Sequence, residues 1–198
     1  MLTFAAAVFF LIITPGPGVL TTAGVGSGFG YRAGARFLAG LCIGTNLVQL
    51  LVATGLTAIV FAEPSLRAVL LFLSVAWFIY LASKIAFADT RVGFIESETA
   101  PGFLDGVILQ FINPKAYAVS NLLISGYAFW PDDVVVEIAL KFLIMNLVWI
   151  PVHVAWLTAG VMVRRMELSA GTQRVINLGM ATALLIVVFL AAWSELTR

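Results

Sequence analysis

Two interruptions in otherwise apolar sequence carry most of the chemistry available to this chain. Thr14-Pro15-Gly16-Pro17-Gly18 breaks one apolar run, and Asn113-Pro114-Lys115 breaks another 99 residues later. A proline removes a backbone donor, clashes with the preceding turn and turns the residue before it away from helical geometry. Pro15 and Pro17 therefore push Thr14 and Gly16 out of a helix. Pro17 is suited to open a new one, because its missing N–H costs nothing at the first helical position. Asn113 reads as an N-cap, with Pro114 at that first position. The free N–H groups and positive dipole end of this half-helix, with the ammonium of Lys115, would form an anion site. The expected binding residues are thus Thr14, Pro15, Gly16, Pro17 and Gly18 from one break, and Asn113, Pro114 and Lys115 from the other.

Lys115 is the sharpest of these. It lies about midway along its apolar stretch, where an unpaired lysine costs ~2.5–3.5 kcal/mol on membrane-insertion scales. Asp105 is ten residues away, about 15 Å along one helix and too far to be a direct partner. The counter-charge is then either a substrate carboxylate or carbonyls freed by the first break. The alternative is that Lys115 merely ties the two breaks together or snorkels to an interface. Asn46, Gln49, Gln110, Asn121, Asn146 and His153 are further polar groups within apolar sequence. Most are expected to bond helix to helix, at ~0.6 kcal/mol apiece. Asn46 and Asn146 fall at similar points of two spans, which suits both to line a pore and adds Asn46 to the expected substrate-binding residues. His153, the single histidine, follows Pro151; its imidazole is suited to proton coupling, against a purely structural role.

The elements that must position these groups follow from composition. Of 198 residues, 62% are hydrophobic and 11% charged, and mean hydropathy is +1.07. A soluble domain carries about 25% charge, and disorder needs low hydrophobicity with high charge. Both are excluded; the chain reads as an all-α integral membrane protein. A net charge of +1 leaves no basic surface for nucleic acid, and a single cysteine, Cys42, permits no intrachain disulfide or cysteine-based metal site. No cofactor and no metal are expected. Met1-Leu2-Thr3 lacks the positive start of a cleaved signal peptide, so the first span is read as retained.

Apolar runs of spanning length fall near residues 2–24, 37–60, 66–88, 104–129, 134–163 and 174–194. Gly26 to Arg36 is expected as the first loop. Six spans make one transmembrane transporter domain over 1–198, with repeat halves of about 1–98 and 99–198. Each half has three spans, the first of them broken. Three is odd, so the halves enter the membrane from opposite sides, as inverted repeats whose paired broken helices mark a binding site. Arg32, Arg36, Lys84, Arg91, Arg164, Arg165 and Arg174 fall on one side; Arg67, Arg198 and Lys141 near the start of span five fall on the other. The positive-inside rule places loops 1–2, 3–4 and 5–6 in the cytoplasm and both termini outside. Among the tryptophans, Trp77, Trp130, Trp149, Trp156 and Trp193 are candidate interface anchors. Gly30, Gly34, Gly40 and Gly44 give small-xxx-small steps for close helix packing.

Pro15-Gly16-Pro17, Gly30-Tyr-Arg-Ala-Gly34, Gly40, Gly44, and Phe103-x-x-Gly106 leading to Asn113-Pro114-Lys115-Ala116 together resemble the LysE/RhtB family of amino-acid exporters over essentially the whole chain. The resemblance implies a bacterial cytoplasmic-membrane protein that exports amino acids or their derivatives by proton antiport. Its partners would be a small-molecule substrate and membrane lipid, with a second copy of the chain left open. The sequence departs from the family at Gly18, where asparagine is common, and across Trp77-Phe78-Ile-Tyr80-Leu-Ala82 in span three. It also lacks the acidic residue that some relatives carry near Thr45 or Asn46. Without that counter-charge a neutral substrate is favoured over a cationic one. A small-ion or metal permease is the alternative, and clustered carboxylates or soft ligands are missing for it. An intramembrane enzyme would need a nucleophile–base pair or metal cluster that the residues do not provide.

Overall fold

Proline starts three of the helices, at the position where its missing N–H is harmless. The computed structural model describes residues 1–14, 16–56, 63–87, 99–166 and 168–196. Pro15, Arg91, Arg198 and the distal end of span two lie outside them. The elements are α1 (Leu2–Ile13), α2 (Pro17–Ala53), α3 (Pro64–Ala86), α4 (Phe103–Ile112), α5 (Pro114–Ser125), α6 (Val134–Arg165) and α7 (Ala170–Leu196). Pro17, Pro64 and Pro114 open α2, α3 and α5. Among the described residues there is no strand. Three helices among the described residues are long and apolar enough to cross a membrane: Pro17–Ala53, Val134–Arg165 and, within α7, Ala170–Leu190. Together α4 and α5 add a fourth candidate span, bent by 66° at Asn113.

The segment 26–36, expected as a loop, is helical on either side of a single residue. Gly30 has φ 82° and ψ −177° inside α2, a conformation essentially restricted to glycine. The chain doubles back there, as the packing of its two arms shows. A Cβ placed on Gly26 would lie 3.0 Å from Leu157 Cδ1, and one on Gly34 would lie 2.1 Å from the same atom. Farther out, Gly18 and Gly44 both face Gln110, although 26 residues of straight helix would hold them about 39 Å apart. A straight helix of 37 residues would be about 55 Å long, well beyond the ~30 Å of hydrocarbon it has to match. The reversal at Gly30 resolves that mismatch.

The glycines beyond Gly30 are packing residues. A Cβ on Gly40 would fall 1.8 Å from the Phe103 carbonyl oxygen, and one on Gly106 would fall 2.3 Å from that of Phe37. The second arm of α2 therefore meets α4 backbone to backbone. Gly160 on α6 approaches Ala23 on the first arm in the same way. Phe4, Phe37, Phe78, Leu41, Leu109 and Leu157 are among the fully buried side chains. The two arms of α2 lie at the centre, against α4, α5, α6, α7 and α3, while α3 packs on α7.

The connection from α5 to α6 is built differently. Glu137 Oε2 accepts from the backbone N–H groups of Phe129 (3.2 Å) and Trp130 (2.7 Å). Its Oε1 lies 2.6 Å from Lys141 Nζ. That ammonium also donates to the carbonyls of Ile124 (2.7 Å) and Tyr127 (2.5 Å). Lys141, expected as a flanking surface charge, is thus only 3% exposed and fastens the turn to α6. Asp133 Oδ1 caps α6 by accepting from Val135 and Val136.

Candidate functional site

A helix break inside a membrane frees carbonyls that lipid cannot satisfy, and side chains near both breaks donate to several of them. Thr14 Oγ1 donates to the Phe10 carbonyl (2.6 Å) at the end of α1. Tyr117 Oη donates to Phe111 (2.8 Å), and Ser74 Oγ donates to Ile112, at the end of α4. The Thr14 carbonyl accepts from Lys115 Nζ at 2.6 Å, so the two breaks meet directly. Gly16 makes room for this: a Cβ there would lie 2.8 Å from Lys115 Cδ and 3.0 Å from Nζ.

The two half-helix N-termini are not equivalent. Asn113 Oδ1 accepts from Lys115 N–H (3.1 Å), and the Asn113 carbonyl accepts from Ala116 N–H (3.0 Å). Those amides, expected to be free for an anion, are occupied, so α5 offers its dipole and the Lys115 ammonium. The α2 terminus is the open one. Its N-cap, Gly16, has no side chain and makes no side-chain cap bond. The helix therefore begins with no N-cap side chain over the amides of Gly18 and Val19, and both residues border a cavity of about 70 Å³.

That cavity collects residues from α1, both arms of α2, α4, α5 and α6. Of the sequence-derived candidates, Thr14, Gly16, Gly18, Asn113, Lys115 and His153 line it. Pro17 and Pro114 are not among its walls; they set the helix starts behind it. Asn46 also stands apart. Its Nδ2 donates to Asn146 Oδ1 (2.9 Å) and its Oδ1 accepts from Asn146 Nδ2 (2.8 Å). Each Nδ2 additionally reaches a carbonyl one turn back, Cys42 for Asn46 and Phe142 for Asn146. Asn46 is therefore a helix-to-helix clasp, because both ends of its amide are engaged.

His153 is 4% exposed. Its Nδ1 lies 2.9 Å from the Trp149 carbonyl, which can only accept, so Nδ1 carries the proton. In the neutral ring Nε2 is then an acceptor, and a Cβ on Gly18 would sit 3.5 Å from it. The ring stacks on Trp149 at 3.6 Å and 16°. Trp149 is consequently a buried wall of the cavity and not the interface anchor its type suggested. Trp130 and Trp193 remain exposed.

Sequence reasoning assigned Gln49 and Gln110 to helix packing, and it passed over Ser120 and Met145. All four line the cavity. Gln110 Oε1 accepts from Asn113 Nδ2 (3.2 Å), which fixes the N-cap. The available signal was spacing: Thr45 and Gln49 are one helical turn apart on a single face, and Gln110 precedes Asn113 by three. No Asp or Glu lines the cavity, and no group of three or more His, Cys, Asp or Glu among the described residues could hold a metal ion.

Residues 9–194 match the family described as LysE type translocator. The chain belongs to that family. This LysE-type translocator is accordingly a membrane transport protein and not an enzyme. It is 25% identical over 175 residues, 88% of this chain and 87% of the relative, to the cysteine/O-acetylserine efflux protein of Escherichia coli (strain K12). The same figures hold for the cysteine/O-acetylserine efflux protein of Shigella sonnei (strain Ss046). No solved structure matches the chain.

Proposed function

We propose that this translocator exports a small neutral amino acid or derivative across the bacterial cytoplasmic membrane, by proton antiport with alternating access. The observation that carries the reading is the cavity between the two helix breaks, where Lys115 and the uncapped start of α2 converge. A carboxylate fits there, between an ammonium and the positive end of a helix. The volume, about 70 Å³, has space for roughly five waters at ~10–15 Å³ each, which suits a compact zwitterion. The absence of carboxylates from the walls disfavours a cationic side chain, and the relatives' efflux of cysteine and O-acetylserine agrees in substrate class.

Transport is read as rocking of two inverted three-span halves in one domain, about 1–98 and 99–198, around this site. The reciprocal bonds of Asn46 and Asn146, 100 residues apart, support that reading, as does the contact of α3 with α7, the last span of each half. The excess of Arg and Lys favours cytoplasmic loops 1–2, 3–4 and 5–6 with both termini outside. His153 is the coupling residue in this scheme. Buried at the cavity wall, its Nε2 exchanges an acceptor for a donor on protonation.

In proteoliposomes, Lys115→Ala is expected to abolish amino-acid counterflow while the protein still reaches the membrane; counterflow at the wild-type rate would remove Lys115 from the site. Separately, His153→Gln should retain downhill exchange and lose uphill export driven by a proton gradient. Uphill export by the wild type after collapse of both the proton gradient and the membrane potential would sink the antiport mechanism.

A further inference from the structure

A zwitterion has two charged ends, and the cavity described so far accounts for one. Lys115 and the start of α2 attract a carboxylate but repel an ammonium, and among the described residues no Asp or Glu lines the cavity to receive it. The ammonium must then be held by neutral acceptors. Several polar side chains on the walls are already engaged: Thr45 Oγ1 donates to Leu41, Asn113 and Gln110 bond to one another, and His153 Nδ1 is held by Trp149. Gln49 differs. It is 2% exposed, it lines the cavity from the second arm of α2, and its Oε1 is buried without a hydrogen-bond partner. An orphaned buried acceptor is destabilising unless a donor arrives.

We infer that Gln49 is the ammonium-binding residue of this transporter, with Oε1 accepting from the substrate's α-amino group. The inference rests on the proposed amino-acid reading of the cavity and adds the half of the substrate that Lys115 cannot recognise. His153 Nε2 is a further acceptor on the walls, but it becomes a donor when the ring takes a proton. Gln49 Oε1 remains an acceptor throughout the cycle. A neutral amide also distinguishes ligands in a way that a carboxylate would not. It satisfies a single ammonium without drawing in a dicationic amino acid.

The test uses L-cysteine and its des-amino counterpart β-mercaptopropionate, with binding measured by calorimetry on the full-length protein in nanodiscs. The wild type is expected to bind L-cysteine the more tightly. Because a hydrogen bond to a charged group is removed, Gln49→Leu should weaken L-cysteine by at least about tenfold and leave β-mercaptopropionate within about twofold. If Gln49→Leu weakens neither ligand, or both by the same factor, the assignment is overturned while the amino-acid reading stands. A wild type that binds neither ligand overturns both. Should Gln49→Leu fail to reach the membrane, Gln49→Glu decides the matter. Its carboxylate should hold or tighten L-cysteine and weaken the anionic β-mercaptopropionate, and parallel weakening of both ligands would count against the ammonium role.

Discussion

Gly16 matters through a neighbour more than through its own backbone. Its φ of −158° and ψ of 178° are ordinary extended geometry, open to any residue. A methyl group there would strike Lys115 Cδ and Nζ, the far end of a flexible side chain. Gly16→Ala should therefore fold normally and displace the ammonium from the Thr14 carbonyl. The expected outcome is an unfolding midpoint in detergent within ~2 °C of wild type, together with substrate affinity lowered about tenfold. A midpoint that drops as far as the affinity would mean that the contact is structural. At this scale the sequence was informative where a residue violates its surroundings. A lysine inside an apolar run cannot be ignored, and its bond to the first break was one of the partners foreseen for it. Gln49 was hidden because a neutral amide in a membrane helix is ordinarily a packing group. Only three-dimensional neighbours reveal that its oxygen lacks a partner.

Among the elements, the breaks were readable because proline enforces them. The reversal at Gly30 was not, because Gly24, Gly26, Gly28, Gly30 and Gly34 look alike in sequence. Of these only Gly30 has a positive φ; Gly24, Gly26 and Gly34 are closed in by Ile85 and Leu157. Two different penalties should follow. A Cβ on Gly30 meets nothing nearer than 4.0 Å, so Gly30→Ala would act through backbone strain alone, at about 1–3 kcal/mol. Gly106→Ala would act through collision with the backbone of α2, and overpacking of that kind also costs about 1–3 kcal/mol. A Cβ on Gly179 of α7 would meet nothing within 4 Å, and alanine there should be neutral or stabilising by up to ~1 kcal/mol. Thermal unfolding of the three variants side by side checks the ranking. A Gly30→Ala variant as stable as Gly179→Ala would contradict the conformation assigned to residue 30.

For the whole molecule, the joint between the proposed halves is open to measurement. Asn46 and Asn146 exchange two hydrogen bonds, so replacing either by leucine strands the amide of the other. A double-mutant cycle should show a coupling of about 1 kcal/mol, between the ~0.6 average and ~1.7 maximum for such bonds in membranes; additive single effects would deny that the pair holds the halves together. Sequence spacing brought these two residues to notice, yet their pairing needed the close approach of α2 to α6 that Gly34 and Gly160 permit. Lys141 illustrates the opposite outcome. Its charge suggested a membrane flank, and it is held by Glu137 one turn back on α6 and by the carbonyls of Ile124, at the end of α5, and Tyr127, in a turn whose path composition does not specify. The bond from Lys115 to the Thr14 carbonyl bears on the empty state of the carrier. It takes one of the three N–H groups of the ammonium, so two remain for an arriving carboxylate. In the proposed exporter the charge is thereby held in place before the substrate enters and after it leaves. The carrier can then reset without stranding a bare ammonium in the membrane.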